Sequence, residues 1–426
     1  MTAPTTPLAT RLNDACQCIW VDREKLRGQL RADLGADSGL LETRAGLVSG
    51  SVVFVAPQDA AAMDRAIRII GRALESEPFQ GRALEHAPPI ARTVPRATGG
   101  LLGFDFHLGG PVPQLIEINT NPGGLLVSLE LAMAATASCD CFASPLPTLA
   151  CASVELDQLR SRVVALFQEE WRLARGDAQP LHTVAIVDDE PEGQYLYPEF
   201  VLYRNLLEHA GFRVVIADPG DLEARADALL CRGERIDLVY NRLTDFYLSE
   251  ERHAALREAF ERDLAVISPH PAAHARWADK RLLAWLRDES LLAAAGLDAN
   301  EQLTIMNTIP HTEIVEPSQA AELWVRRKDL FFKPIDGYAG KAAYRGDKLT
   351  RTAFDHILAH RYVAQAIVPT SFRTISAIEG EETELRVDVR NWALRGETWL
   401  RAARLYRGQT TNFRTAGGGF APVLTV

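Results

Sequence analysis

The sequence has 426 residues, of which 47% are hydrophobic and 24% are charged, and its formal net charge is −10. This length predicts two or three domains with sizeable cores, and the composition is typical of a soluble globular protein. The negative charge argues against a nucleic-acid-binding surface. No apolar run reaches transmembrane length, and residues 1–10 lack the pattern of a secretory signal, so we expect a cytoplasmic protein with no membrane partner.

The N-terminal region is predicted to combine helices with a few short strands. Apolar residues at helical spacing predict helices at 22–34, 60–75, 125–136 and 156–174, and the apolar run at 51–55 predicts a strand. Prolines at 88, 89 and 95 indicate a loop, and 137–150 is expected to be a connection.

Residues 103–124 have the pattern of two strands joined by a turn. Residues 114–119 contain an apolar run, and Glu117 and Asn119 leave this predicted strand on the same face because side chains alternate. A carboxylate and an amide are costly to bury without partners, and Mg²⁺ accepts both as oxygen ligands. The upstream strand 103–107 carries Asp105. The stretch alone therefore allows either a magnesium site formed by Asp105, Glu117 and Asn119 or a purely structural hairpin.

Residues 181–270 alternate between predicted strands and helices. The strands are expected at 183–187, 212–217, 236–240 and 265–268, and the helices at 198–210, 221–230 and 250–263. This alternation predicts a small parallel α/β domain, whose functional residues lie beyond the carboxyl ends of the strands. The residues at those positions are Asp188, Asp189, Glu190, Asn241, Arg242 and Asp245, for which solvated loop charges are the simpler interpretation.

The remainder of the chain combines a lysine, a glycine-bearing loop and further strands. Arg276 is expected to open a helix, the strand 329–334 carries Lys333 near its end, and strands are predicted at 362–369, 384–390 and 398–405, of which 384–390 alternates as a half-buried strand. A lysine followed by glycines suits phosphate binding, because the ammonium pairs with phosphate oxygens and glycines allow close approach of the backbone. A plain hairpin turn is the alternative for Gly337 and Gly340.

Together these motifs resemble those of the ATP-grasp ligases. Gly103-Phe104-Asp105 and Ile116-Glu117-Ile118-Asn119-Thr120-Asn121-Pro122-Gly123 are similar to the magnesium-binding hairpin of that family, and Lys333 with Gly337 and Gly340 is similar to its second lysine and glycine-rich lid. The resemblance implies ATP and Mg²⁺ as cofactors. It further assigns Lys280 as the first nucleotide-binding lysine, Gln365, Ala366 and Ile367 as the strand that contacts adenine, and Arg386 as the arginine facing the transferred phosphoryl group.

The order of the motifs is unusual, because the metal hairpin normally lies near the C-terminal end of an ATP-grasp chain. A circular permutation gives the order seen here, which resembles that of the eukaryotic glutathione synthetases. In those proteins an arginine before a C-terminal glycine-rich loop holds a substrate carboxylate, which implies this role for Arg414. Arg404, Asn412 and Asn241 are further candidates for catalysis or substrate binding. The segment 404–412 departs from the glutathione synthetase pattern.

The fold class predicted is therefore α/β, a circularly permuted ATP-grasp fold with an inserted small parallel α/β substrate domain. The expected regions are 1–180 with the metal hairpin, 181–270 as the substrate domain, 271–375 as the lid and nucleotide region, and 376–426 as core strands with a substrate loop. The expected activity is ATP-dependent ligation of a small carboxylate to an amine, through an acyl phosphate, with residues 336–346 closing as a lid. A kinase and a non-catalytic nucleotide-binding protein are the alternatives, and a homodimer is an oligomeric state to test.

Overall fold

The computed structural model describes residues 7–44, 46–137, 147–335, 342–376, 382–409, 411 and 415–426. In this part of the chain the α-helices are α1 (Leu8–Ala15), α2 (Arg23–Leu34), α3 (Pro57–Glu75), α4 (Glu77–Glu85), α5 (Leu125–Ala134), α6 (Pro147–Arg175), α7 (Tyr197–His209), α8 (Ala254–Glu261), α9 (Pro271–Trp277), α10 (Arg281–Trp285), α11 (Glu289–Ala294), α12 (Ala299–Thr308), α13 (Ala320–Arg326) and α14 (Arg351–Ala359). The β-strands are β1 (Ile19–Val21), β2 (Val53–Val55), β3 (Leu102–His107), β4 (Gln114–Asn119), β5 (Ala135–Ala137), β6 (Thr183–Val187), β7 (Arg213–Ala217), β8 (Leu222–Ala224), β9 (Leu229–Cys231), β10 (Glu234–Ile236), β11 (Leu238–Asn241), β12 (Val266–Ser268), β13 (Thr312–Ile314), β14 (Leu330–Pro334), β15 (Tyr344–Arg345), β16 (Tyr362–Ala366), β17 (Ser371–Ser376), β18 (Glu382–Leu394), β19 (Glu397–Tyr406) and β20 (Gly419–Thr425). None of these helices has the length and hydropathy needed to cross a membrane.

A seven-stranded sheet carries the hairpin β3–β4. Its strands run in the order β2–β20–β19–β18–β3–β4, and β17 pairs with the first half of β18. β3 pairs with the second half of β18 on the same edge, and β19 occupies the other edge. The hairpin from the first third of the chain therefore lies directly beside the C-terminal strands.

Helix α3 covers one face of this sheet. Its side chains Met63, Ile67, Ile70 and Leu74 recur at intervals of three or four residues and are all completely buried. They belong to a core that also contains apolar side chains of β18 and β19. Burial of each such side chain contributes about 1.5–3 kcal/mol. The helix predicted at 60–75 is confirmed, and it starts earlier, at Pro57.

Arg373 on β17 ties the N-terminal residues to the central sheet. Its side chain is fully buried, and its guanidinium donates hydrogen bonds to the carbonyl oxygens of Val52 and Asn13, both at 2.8 Å, and of Cys16, at 2.5 Å. Because a buried guanidinium is stable only when its donors are paired, these contacts fix α1 and the residue before β2 against β17.

A parallel sheet lies within residues 181–270, as the sequence predicts, with the order β12–β11–β6–β7. The helix predicted at 221–230 is wrong, because this segment forms β8 and β9, which continue into β10. Leu222, Leu229 and Cys231 are buried at strand spacing, and the turn after Cys231 places Arg232 and Gly233 at positive φ. A tight antiparallel turn of this kind supports a meander rather than a helix.

The fourth sheet is antiparallel, with the order β13–β16–β14–β15, and helices α13 and α14 cover one of its faces. Phe332 on β14 and Phe354 on α14 are buried and contact each other edge to face, with ring centroids 6.1 Å apart. This sheet presents Lys333 and Gln365 to a cleft between it and the central sheet.

Three further features differ from the sequence prediction. Arg276 lies in the last turn of α9, which ends at Trp277, instead of opening a helix. The next helix, α10, begins at Arg281, whose amide donates to the side chain of Asp279. The strand containing residues 384–390 is buried on both faces along most of its length, since its charged side chains pair within the protein. The connection expected at 137–150 already contains the start of α6 at Pro147, while residues 138–146 lie outside the described part.

Candidate active site

The cleft between the central sheet and the antiparallel sheet has a volume of about 370 Å³. Glu117 and Asn119 of β4 line it on the side of the central sheet, and Lys333 and Gln365 line it on the opposite side. Lys280, from the break between α9 and α10, lies beside Glu117, with a distance of 3.6 Å between its Nζ atom and Glu117 Oε1. The cleft thus brings together the two lysines and two of the three metal ligands that the sequence predicts.

Glu117 and Asn119 fit a role in binding Mg²⁺. They leave β4 on one face, as the alternation predicts, and the Asn119 amide donates to Asp105 Oδ2 at 3.2 Å. This contact turns the nitrogen of Asn119 away and leaves its Oδ1 atom without a hydrogen bond among the described residues. Mg²⁺ is commonly held by one or two protein oxygens together with substrate phosphates. No cluster of three His, Cys, Asp or Glu side chains that could hold a metal occurs in the described residues.

Asp105, the third predicted metal ligand, is engaged by two arginines in this structure. Its side chain is completely buried, and Arg390 holds both oxygens, with Nε to Oδ1 and Nη2 to Oδ2 each at 2.7 Å. Arg404 adds a third contact, from Nη2 to Oδ2, at 2.8 Å. Both carboxylate oxygens are therefore engaged by guanidinium groups, and Asp105 does not line the cleft. It is an anchor for the two arginines behind the site.

The electrostatics of this cluster favour an ionised Asp105. Burial alone would raise the pKa of Asp105, but the attraction of Arg390 and Arg404 outweighs it and lowers the pKa to about 2. Arg404 also donates from Nε to Asp388 Oδ1 at 2.6 Å, and Thr411 donates to the other oxygen of Asp388 at 2.7 Å. The Nη1 atom of Arg404 has no hydrogen bond among the described residues, and Arg404 lines the cleft. The predicted catalytic role of Arg404 fits this position.

Lys333 joins the two sides of the cleft. Its Nζ atom donates to the carbonyl oxygen of Ile116 on β4 at 2.7 Å and to Gln365 Oε1 on β16 at 2.8 Å. Burial lowers the pKa of Lys333 to about 8, with Glu117 opposing and Lys280 assisting the shift. The ammonium thus sits partly desolvated at the bottom of the cleft, where an anionic phosphate would compensate its charge.

The predicted adenine strand lines the cleft, although its amides are engaged. Gln365, Ala366 and Ile367 are all at the cleft surface. The N–H of Ala366 donates to the carbonyl of His311 at 2.7 Å, and that of Ile367 to the carbonyl of Asp329 at 2.8 Å. The Gln365 side chain orients Lys333 and donates to Thr312 Oγ1 at 3.2 Å. These two N–H groups are therefore used within the protein.

The other predicted residues fall into two groups. Arg386 lines the cleft and donates from Nη1 to Thr370 Oγ1 at 3.2 Å. Asn241 is buried away from the cleft. Its amide donates to the Pro269 carbonyl and its oxygen accepts from the Leu243 amide, so both ends of the side chain are engaged within the protein. Gly337, Gly340, Asn412 and Arg414 lie outside the described residues.

The loop that follows Asn119 is held from three directions. Asn121 donates to the carbonyls of Arg242 and Leu243, at 3.3 and 3.0 Å, and Trp392 donates to the carbonyl of Pro122 at 3.1 Å. The carboxylate of Glu199 accepts from the Gly124 and Leu126 amides, at 2.8 and 3.1 Å. Glu199 thereby caps the start of α5 from another helix, and a negative charge is favourable at that end.

Gly124 is required where this loop enters α5. Its φ is +97°, and a Cβ atom at this position would lie 2.1 Å from the ring of Phe420. The glycine pair after Pro122 therefore serves close packing of the loop against β20.

Several cleft residues were not identified from the sequence. Arg390 could have been found, because it lies four positions after Arg386 and therefore shares its strand face. Asn121 belongs to the hairpin motif, but no role is predicted for it. The following polar and aromatic cleft residues come from several segments of the chain and have no predicted role: His107, Thr244, Phe246, Arg345, Thr370, Tyr406, Gln409 and Thr411.

The central sheet and the antiparallel sheet, with a lysine-lined cleft between them, confirm the α/β ATP-grasp fold that the sequence predicts. A solved structure of a glutathione synthetase-like effector, GSS30 of Globodera pallida in its apo form, matches with a TM-score of 0.54 and 12% identity, over 89% of this chain and 90% of that chain. At this identity the match shows the fold alone. The ATP-grasp ligase PsnB with its minimal precursor matches 57% of this chain and 90% of that chain, with a TM-score of 0.31 and 13% identity, which is too low to add to the argument. Neither a protein-family model nor a curated protein matches the sequence.

Proposed function

We propose that this protein is an ATP-dependent carboxylate–amine ligase. The observation that carries the proposal is the meeting of Lys280, Lys333, Glu117 and Asn119 in one cleft of the ATP-grasp fold. Lys280 and Lys333 would hold the phosphates of ATP, and Glu117 and Asn119 would hold Mg²⁺. When bound, the metal would supply charge neutralisation on the phosphates.

The arginines of the cleft would bind the carboxylate substrate. The substrate carboxylate attacks the γ-phosphate, which gives an acyl phosphate and ADP; the amine then displaces phosphate, loses a proton and forms the amide. Arg386 and Arg404 would hold a carboxylate or phosphoryl oxygens, since guanidinium groups match both shapes. Both arginines line the cleft, and the Nη1 atom of Arg404 has no hydrogen bond within the described part of the chain. Arg414, on the resemblance described above, is proposed to bind the substrate carboxylate, with Asn412 beside it. Gly337 and Gly340 are proposed to close over the phosphates.

We also propose the circularly permuted order and the four regions given by the sequence. The pairing of Asp105 with Arg390, 285 positions apart, supports this order, because it places the early hairpin beside the C-terminal strands. The parallel sheet within 181–270 and the antiparallel sheet within 271–375 support the two inner boundaries. A cytoplasmic location and a homodimer remain predictions.

The proposal is tested by measuring ADP release with amino acids and small peptides offered singly and in pairs, followed by mass measurement of the product. Release that requires both a carboxylate and an amine, with a product that has lost one water, supports the ligase. Release with a single alcohol substrate would indicate a kinase, and nucleotide binding without release would indicate a non-catalytic nucleotide-binding protein.

A further inference from the structure

The loop after β11, residues 242–250, brings uncharged side chains to the cleft. Thr244 and Phe246 line the cleft, and Phe246 stacks on His274, with ring centroids 3.9 Å apart and planes 7° from parallel. Asn121, two residues after the proposed metal ligand Asn119, connects β4 to this loop because it donates to the Leu243 carbonyl. Thr244 and Phe246 therefore share this cleft with Glu117 and Lys333.

The acidic residue of this loop that lies between those two side chains points away from the cleft. Asp245 accepts hydrogen bonds from Ser249 Oγ at 2.9 Å, from the Glu250 amide at 2.8 Å and from His253 Nδ1 at 2.8 Å. The other ring nitrogen of His253, Nε2, lies 3.0 Å from Asp189 Oδ1 in the loop after β6. The His253 side chain is completely buried between these carboxylates.

His253 must be an imidazolium for both contacts to be hydrogen bonds with ionised carboxylates, because a neutral imidazole donates from one nitrogen only. Burial alone would lower the pKa of His253, but the bonds to Asp245 and Asp189 outweigh it and raise the pKa above its ordinary value.

Other charges surround this pair. Arg252 contacts Asp189 at 3.0 Å and Asp218 at 3.1 Å. Asp188 lies on the same side, and burial raises its pKa to about 7, with Arg242 opposing the shift. Asp188 is therefore mostly neutral at pH 6. The ionised carboxylates of Asp189, Asp218 and Asp245 face His253 and Arg252, which favours the protonated ring.

We propose that His253 is a positioning residue that fixes Asp245 and, with it, the loop 242–250. In the fixed loop, Thr244 and Phe246 form an uncharged wall of the cleft. This wall contacts an apolar or neutral part of the amine substrate. The role of the wall rests on the proposed ligase function. The role of His253 in fixing the loop does not.

Amide hydrogen exchange tests the positioning role in the full-length protein. His253→Gln and Asp245→Asn should each lower the protection of amides 243–250 at least tenfold at pH 6, while the protection of β6 and β11 stays unchanged. Arg262→Gln, which removes an exposed cation from the same region, is the matched control. In the wild type, protection of the same amides should fall as the pH rises above 6.5, because His253 loses its proton, and His253→Gln should remove this pH dependence. Unchanged protection in both variants, or loss that spreads through the whole parallel sheet, would overturn the proposal.

Kinetics test the wall. His253→Gln should raise KM for the amine substrate at least fivefold and leave the affinity for a non-hydrolysable ATP analogue with Mg²⁺ within twofold. An equal loss of affinity for the ATP analogue would overturn the assignment of the wall to the amine substrate. If no pair of substrates releases ADP, the ligase function and the role of the wall both fail, and hydrogen exchange still decides whether His253 fixes the loop.

Discussion

The carboxylate of Asp105 is bound by the guanidinium of Arg390 through two parallel hydrogen bonds of 2.7 Å. The pair joins a hairpin from the first third of the chain to a strand near its end. Asp105 also positions Arg404, which donates to both Asp105 and Asp388. The Nη1 atom of Arg404 has no hydrogen bond among the described residues. Glu117 and Asn119, one strand away, line the cleft.

Removing the Asp105 carboxylate should destabilise the fold. Asp105→Asn leaves Arg390 and Arg404 buried with incomplete pairing, and breaking such a buried pair costs about 3–5 kcal/mol. The free energy of unfolding, measured by urea denaturation, should fall by this amount. Asp177→Asn, at an exposed position, is the control and should leave the stability almost unchanged. A loss below about 1 kcal/mol for Asp105→Asn would contradict the role of an anchor.

Removing the proposed metal ligands should affect turnover more than folding. Glu117→Gln and Asn119→Ala take away oxygen ligands at the cleft surface, so the free energy of unfolding should change by about 1 kcal/mol or less. ADP release should be lost in both variants, because the charge of the phosphates is no longer neutralised. Near-normal ADP release by either variant would show that its side chain is not a metal ligand.

The pKa of Lys333, lowered to about 8, predicts a pH dependence of nucleotide binding. Below pH 8 the ammonium is charged and available to phosphate, whereas above it the lysine must first take up a proton. The affinity for an ATP analogue should therefore fall by up to about tenfold per pH unit above 8. Calorimetric titration from pH 7 to 9.5 measures this change, and Lys333→Arg, which keeps its charge, should flatten the profile.

The same shift predicts the sign of the contribution of Lys333 to stability. The unfolded chain binds more protons between pH 8 and the ordinary lysine pKa of 10.5, so the contribution of this group to stability rises with pH in that window. The free energy of unfolding should therefore gain less between pH 7.5 and pH 10 in Lys333→Met than in the wild type.

The cap that Glu199 forms on α5 should be measurable in stability. Glu199→Ala leaves the amides of Gly124 and Leu126 without their acceptor, which costs about 1–3 kcal/mol for buried donors. Urea denaturation should detect this loss, with Glu208→Ala, at an exposed position on the same helix, as the control. Equal stability of the two variants would argue against a capping role.

The role of Arg414 is a prediction from resemblance, since this residue lies outside the described part of the chain. Arg414→Ala should raise KM for the carboxylate substrate strongly, because a buried charge pair is worth about 2–5 kcal/mol on truncation. The affinity for ATP should stay almost unchanged. Steady-state kinetics with each substrate varied in turn separate the two effects, and equal changes in both would count against carboxylate binding.

The sequence by itself determined the fold class and the local elements of the site. The alternation of Glu117 and Asn119 in an apolar strand, the position of Lys333 near the end of a strand, and the β–α alternation of 181–270 are local patterns, and local backbone geometry fixes their outcome. The strands β4 and β6 have the predicted bounds for the same reason. The segment 221–230 was predicted wrongly because its turn residues and strand spacing compete with helical propensity over a short stretch.

Only the tertiary structure decided which polar groups are free. Asp105 has the same type and spacing as a metal ligand, but its two oxygens are taken by Arg390 and Arg404, whose approach depends on the pairing of β3 with β18. The amides of Ala366 and Ile367 and the side chain of Asn241 donate hydrogen bonds to carbonyl groups that are distant in sequence. A sequence pattern specifies the face on which a side chain lies, whereas its partners depend on which strands and loops pack against that face.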